Sequence, residues 1–256
     1  MKIKDKKKFW GNILYPVASV VLVFLVWQIA ATAVGSELIL PSPAASFGEF
    51  FRILGTGSFY GALFSTFLRG LVCFGIAAGI AAVLAVVSFL VKPVYRILDP
   101  IVSVLRAVPT MSVIILFWIC TTTQRAPSYV AMLIVFPMLF TGFYSALSGV
   151  DEKLLEMAKV YCVPRKKRVF QLYLRGAAEP TFDLLRSTIG LNYKVMIAAE
   201  VMVSTKNSIG TFMKQAQVEL NIPLLFAYTL AAVILGVVME NAVRLVKYFV
   251  VRWNRV

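Results

Sequence analysis

Six apolar runs, at about 14–34, 62–91, 107–121, 128–149, 187–203 and 224–248, alternate with polar or proline-marked segments along the chain. Most approach the ~20 residues a helix needs to cross ~30 Å of hydrocarbon. They are continuous and do not alternate, which predicts helices and argues against a β-barrel. The run at 62–91 exceeds one bilayer thickness, so it tilts or projects. Runs 107–121 and 187–203 are short and carry charge, which predicts burial in protein over contact with lipid. After the first run Pro41 and Pro43 stop the helix. Phe47, Phe50, Phe51 and Leu54 then recur at helical spacing, the pattern either of a short helix on the outer interface or of a plain connector. No stretch between runs has room for a soluble domain. The expected fold class is all-α: a polytopic membrane protein with six transmembrane helices, forming a single transmembrane domain over residues 1–256.

Composition agrees with this picture. Of 256 residues, 60% are hydrophobic, and the mean hydropathy is +0.83. The net charge of +14 would suggest nucleic acid in a soluble protein, but here its position explains it. With the N-terminus placed in the cytoplasm, nineteen of the 26 Lys and Arg residues fall in cytoplasmic segments, and only Arg52, Arg125, Lys206 and Lys214 fall outside. That bias predicts both termini inside, in a multi-pass protein of the cell membrane with no nucleic-acid partner. The opening "MKIKDKKK", its apolar run and "ATA" (31–33) also fit a signal peptide, but the run is nearly span-length, which favours a retained helix. The chain has no histidine, and Cys73, Cys120 and Cys162 are widely spaced, so neither a zinc site nor a disulfide framework is expected. No phosphate-binding loop occurs, and the twelve acidic residues form no pair spaced for acid–base work. The chain is therefore expected to be no enzyme and to hold no cofactor.

Between the fourth and fifth runs lies "LLEMAKVYCVPRKKRVFQLYLRGAAEP" (154–180), basic yet periodically apolar. Asp151, Glu152 and Glu156 precede or open it, as suits the positive end of a helix. Leu154, Leu155, Ala158 and Tyr161 mark one face, and Pro164 ends that helix or forces a turn. The basic run 165–168 follows, then a second apolar-faced run from Val169 to Leu174. Chemistry alone leaves two readings: an amphipathic segment lying on anionic membrane lipid, or a docking element for a soluble protein.

This segment resembles the Glu-Ala-Ala loop of permease subunits of ATP-binding-cassette importers. Glu156, Met157 and Ala158 stand for its Glu-Ala-Ala, Cys162 at its usual glycine and Arg175 at its usual proline. "LPSP" (40–43), "STFLRGLVCFG" (65–75), "LDPIVSVLRAVP" (98–109), "AAEVM" (198–202) and "SIGTFM" (208–213) are similar, in order and spacing, to the nitrate/sulfonate/taurine branch. The resemblance implies a type I importer permease, working with a second permease subunit as a homodimer. A cytoplasmic ATPase dimer would consume the ATP, and an extracytoplasmic solute-binding protein would deliver the solute. It implies that the loop at about 151–175 couples to the ATPase through Glu156, Met157, Ala158, Tyr161, Cys162 and Pro164. The implied substrate is a small nitrate-, sulfonate- or taurine-like anion. The same branch also resembles permeases for thiamine precursors.

Charges inside spans face a bundle interior or water. Arg106, beside Pro109, and Asn192, Lys194 and Glu200 on the fifth run are candidate pathway residues, or members of structural ion pairs. Six residues separate Lys194 from Glu200, so their partners are expected on other helices or another subunit. Arg69 is expected at the outer interface, and Glu240 and Arg244 as an i,i+4 pair. "GIAAG" (75–79) is a small-xxx-small pattern suited to close helix packing, within the chain or at a subunit interface, and Pro109 and Pro137 can kink their helices or simply shape them. Two rivals remain: a secondary transporter with Lys194 and Glu200 as ion-coupling groups, and a non-transporting scaffold.

Overall fold

In the computed structural model of the chain, which describes residues 3–251, the apolar runs become helices packed around two central ones. The side chains of residues 3–14, 16, 17, 152, 165 and 166 fall outside the description, as do Lys2, Arg252 and Arg255, so the terminal charges and half of the 165–168 cluster enter no contact argument below.

Helix α1 (Ile3–Val34) leads into α2 (Pro43–Leu54), whose start follows from its sequence: the Ser42 hydroxyl accepts a hydrogen bond from the Ala45 N–H at 3.2 Å, and Pro43 occupies the first turn. Of the two readings of this segment, the helix is the one present, and Phe50, Ile53 and Leu54 pack against Phe59, Ala227 and Ala231. Trp27 fastens α1 to the body, donating its indole N–H to the Pro41 carbonyl at 3.0 Å and stacking on Phe226 at 5.6 Å.

Helix α3 (Gly57–Leu90) is the first long span. Its inward face is a row of small residues, with Thr66, Gly70, Cys73, Ala77, Ala81, Ala85 and Ser88 all buried. Small side chains let helix backbones approach closely, which is how α3 meets α6 (Ala126–Ser148) and α9 (Leu174–Val203). Gly75 and Gly79 of the expected packing pattern point elsewhere: a β-carbon on either would meet nothing within 4 Å. Within this chain the close packing is made by the neighbouring small-residue row instead.

The third run differs from its expectation. Helix α4 (Lys92–Ala107) is an unanticipated helix, and α5 (Thr110–Cys120) follows after a bend of 96° at Val108 and Pro109. Eleven residues rise only ~16 Å, so α5 alone is too short to cross. Only Val113 and Ile114 of α5 are buried, so within this chain the helix is largely open and not enclosed as expected.

The fifth run forms the C-terminal half of α9, thirty residues long, which is enclosed by protein as its charge predicted: Thr188, Ile189, Asn192, Tyr193, Met196, Ala199 and Glu200 are all buried. Between α6 and α9 lie α7 (Glu152–Val160), α8 (Arg165–Arg168) and a π-helical segment (Val169–Tyr173) that runs without a break into α9. Helix α10 (Ile209–Val218) and the last span α11 (Ile222–Val250) complete the fold. By length and apolarity α3, α6 and α11 qualify as spans, and the bent α4–α5 pair makes a fourth. Among the described residues all regular structure is helical.

Candidate functional site

The 151–175 segment is built from local signals. Asp151 caps α7, its carboxylate accepting from the Lys153 N–H at 2.9 Å. At the other end the Val163 N–H reaches the Ala158 carbonyl at 2.9 Å and the Cys162 N–H the Lys159 carbonyl at 3.0 Å. That is a Schellman closure, which demands a left-handed residue at position 162. Cys162 supplies it with φ of +50°. The glycine-type turn is therefore kept without glycine, at a cost of about 1 kcal/mol for the side chain. Pro164 then starts α8, its carbonyl accepting from the Arg168 N–H at 3.1 Å.

The turn fixes which side chains α7 shows. Ala158 is buried and Leu155 half-buried, as expected. Leu154 and Tyr161 are exposed, contrary to the single face read from the sequence, and form an outward row with Met157 and Val160, with Glu156 beside them. Tyr161 and Val160 are 76% and 79% exposed, which leaves this apolar row without cover in the chain. Phe170 and Leu174 continue the exposed apolar surface beyond the turn, while Tyr173 packs edge-on against Phe89 at 5.3 Å.

The intramembrane polar residues separate into three places. Glu200 is fully buried where α3, α9 and α10 meet. Arg69 donates to it from α3, the Thr66 hydroxyl lies 3.0 and 3.1 Å from its two oxygens, and the Gly210 N–H donates to it at 3.4 Å. The Ile209 N–H in turn donates to Thr66 at 3.2 Å. The helices can close this tightly because residue 210 is glycine: a β-carbon there would collide with Glu200 and the Val201 backbone. Arg69 is thus a largely enclosed ion-pair partner of Glu200, which its expected place at the outer interface did not foresee. A signal existed: an arginine within a thirty-residue apolar run calls for a counter-charge in the bundle. One to two turns below, the Asn192 amide donates to the Gly70 carbonyl at 3.0 Å, and the Tyr193 hydroxyl donates to the Phe67 carbonyl at 2.8 Å with its ring over Gly70.

Lys194 and Arg106 do not join this cluster. Lys194 is exposed on the opposite face of α9 and lines a 540 Å³ cavity between α9 and α11 with Glu240 and apolar side chains. Glu240 forms no pair with Arg244; its carboxylate lies over Gly190 of α9, where a β-carbon would strike it. The ionic link between α9 and α11 is made instead by Lys247, which contacts Asp183 at 2.7 and 2.8 Å and Glu179 at 3.6 Å. Arg106 is exposed at the end of α4 and lines a separate 690 Å³ cavity with residues of α5, α6 and α9. Pro109 sits at the α4–α5 bend, and Pro137 is buried inside α6, where its carbonyl accepts from the Thr141 hydroxyl at 2.9 Å.

Comparison with known proteins gives this geometry a setting. Residues 72–252 match the family described as binding-protein-dependent transport system inner membrane component. The chain is 24% identical over 236 residues to the putative aliphatic sulfonates transport permease protein SsuC of Bacillus subtilis, covering 91% of this chain and 85% of that one. It is 24% identical over 208 residues to the nitrate import permease protein NrtB of Synechocystis, covering 75% of this chain and 73% of that one. Among solved structures, a chain of the MetNI methionine ABC transporter in an inward-facing conformation superimposes with a TM-score of 0.63 at 16% identity, over 75% of this chain and 95% of that one.

Proposed function

The chain belongs to the family of binding-protein-dependent transport system inner membrane components, as an ABC importer permease of the nitrate/sulfonate/taurine branch, and we propose that it forms the translocation pathway for a small nitrate- or sulfonate-like anion. In this reading a solute-binding protein delivers the anion from outside. A separate cytoplasmic ATPase supplies the energy, and two copies of this chain enclose the path. The relatives are transport permeases, and the reading gives this chain no bond-breaking step of its own.

The observation that carries the coupling role is the uncovered row Leu154, Met157, Val160 and Tyr161 on a helix capped at both ends. A rigid helix with an exposed apolar row suits insertion into a groove on a partner protein. Glu156 flanks the row and adds a charge that can orient the docking. Lipid contact accounts less well for it, because an anionic membrane surface would repel Glu156. The basic residues that follow can still touch headgroups.

Six crossings then arise from α1, α3, α5 with its bend, α6, the buried half of α9, and α11, with both termini in the cytoplasm and the domain undivided over 1–256. The lysine and arginine bias supports that sidedness.

The test is co-purification of the full-length chain with its cognate ATPase, comparing wild type with Met157→Lys and Tyr161→Ala. Both positions are exposed, so folding is unaffected. Loss of the ATPase with unchanged melting is the expected result; undiminished co-purification overturns the coupling role. Sidedness is read from the native cysteines. A membrane-impermeant thiol reagent on intact cells should leave Cys162 unlabelled, while a cysteine at Lys206 reacts. Labelling of Cys162 from outside would refute the topology.

A further inference from the structure

The 690 Å³ cavity between the α4–α5 bend and α6 has a composition that the general reading does not use. Among the described residues its only charged lining residue is Arg106. No hydrogen bond or ion pair holds Arg106 among the described residues; its charge and that of Asp99, two turns back on α4, both act on Tyr95. Two lining hydroxyls, Thr110 at the start of α5 and Ser145 on α6, are likewise uncommitted among the described residues. The third, Thr141, already donates to the Pro137 carbonyl. The remaining walls are apolar: Leu105, Val108, Ile134, Met138 and Leu184.

We propose that this cavity is a subsite for an organic oxoanion carrying an apolar tail, with Arg106 and the Thr110 and Ser145 hydroxyls taking the anionic head and Ile134 and Met138 flanking the tail. The proposal rests on the anion-permease reading and narrows it. A guanidinium presents a planar fork of donors that matches the oxygens of a sulfonate. The two free hydroxyls can turn their protons toward the same head. A bare inorganic anion such as nitrate would use only this polar end. An alkyl sulfonate would also cover the apolar walls, each buried methylene adding about fourfold in affinity. Among the described residues no carboxylate lines the cavity, so none of them favours an ammonium group, and an aminosulfonate gains less than an alkyl sulfonate of equal length.

The experiment uses the full-length chain in lipid nanodiscs with Cys120→Ser and Cys162→Ser, leaving the buried Cys73, and a reporter Val108→Cys on the cavity wall, away from the residues that flank the tail. Labelling rates are measured with an anionic methanethiosulfonate (2-sulfonatoethyl) and a cationic one (2-trimethylammonioethyl), each relative to free cysteine. Arg106 should favour the anionic reagent about tenfold. Millimolar butanesulfonate should protect the reporter saturably, methanesulfonate should protect less, and nitrate at equal ionic strength least. Arg106→Gln should abolish both the charge preference and the protection, and Arg106→Lys should keep the preference. Absence of butanesulfonate protection, or protection that survives Arg106→Gln, overturns the subsite. Labelling needs neither ATPase nor transport. Protection without uptake in cells would therefore refute the transport reading alone, and butanesulfonate uptake without protection would refute the subsite alone.

Discussion

Replacing Arg69 by methionine leaves a carboxylate stranded at the centre of the bundle. Glu200 is fully buried, and after the change only the Thr66 hydroxyl and the Gly210 N–H would address it, at 3.0–3.1 Å and 3.4 Å. Removing one partner of a buried ion pair costs about 3–5 kcal/mol, because the remaining charge has lost its compensation and cannot regain water. For a chain of this size each kcal/mol moves the midpoint by about 2–4 °C, so Arg69→Met should lower the Tm by roughly 6–20 °C. Glu200→Gln should cost less. It leaves the charge on Arg69, whose side chain is 14% exposed and reaches the Ser65 hydroxyl at 3.3 Å. The decisive comparison is the double variant Arg69→Met/Glu200→Met. With both charges gone nothing is stranded, so the double variant should melt above Arg69→Met. Tryptophan fluorescence melting of the detergent-purified full-length chain provides the readout. An Arg69→Met midpoint within 2 °C of wild type, or a double variant less stable than both singles, would refute the argument that this pair cross-links α3 to α9 and α10.

Further expectations follow from the same geometry. Cys162→Gly should stabilise the chain by about 1 kcal/mol by relieving the left-handed residue, whereas Cys162→Val should destabilise it, both read by melting. Gly210→Ala should fail to give a folded chain, because the new β-carbon meets Glu200 and backbone; Gly79→Ala, with nothing within 4 Å, should be neutral or stabilising by up to about 1 kcal/mol. Asp183→Asn should change stability by less than about 1 kcal/mol despite two contacts to Lys247 under 3 Å, because Asp183 is 58% exposed and water screens the pair. A loss above 2 kcal/mol there would show that this end of α9 and α11 is shielded in the assembly.

Periodicity made the elements legible and left their partners hidden. The apolar runs gave α3, α6 and α11 nearly end to end, because twenty apolar residues have few alternatives in a bilayer. The charged fifth run was correctly read as enclosed by protein. Helix α4 was missed: its apolar positions are spaced for one face only, and between two spans such a segment reads as a loop. The phase of packing on α3 was missed as well. Ala77, Ala81 and Ala85 turn inward while Gly75 and Gly79 do not, and two small-residue rows on one helix look alike until the neighbours are placed. The expected Glu240–Arg244 pair failed for the same reason, whereas Glu200 does find its partner on another helix, as expected. Glu240 and Arg244 have i,i+4 spacing, yet Gly190 on α9 leaves room for Glu240 across the interface. Glu200 finds Arg69 at a separation of 131 residues, which no local rule can reach.

On the coupling role proposed above, that separation bears on how docking at α7 would reach the centre of the bundle. From Arg165 to Val203 the backbone is helical throughout, so the Schellman turn at Cys162 joins α7 to one continuous rod. The rod's far half carries Lys194 on its open face and Glu200 on its buried one. Its near end is held by Tyr173 against Phe89, where α3 ends. The π segment lies at that hold, and a π turn is where a helix tolerates a change of pitch or direction. Movement imposed on α7 would therefore turn the rod about Tyr173. At the other end the Arg69–Glu200 pair, with Gly210 pressed against it, stops α9 from sliding along α3. A rod held at both places would take up a push on α7 as bending at the π segment, not as sliding.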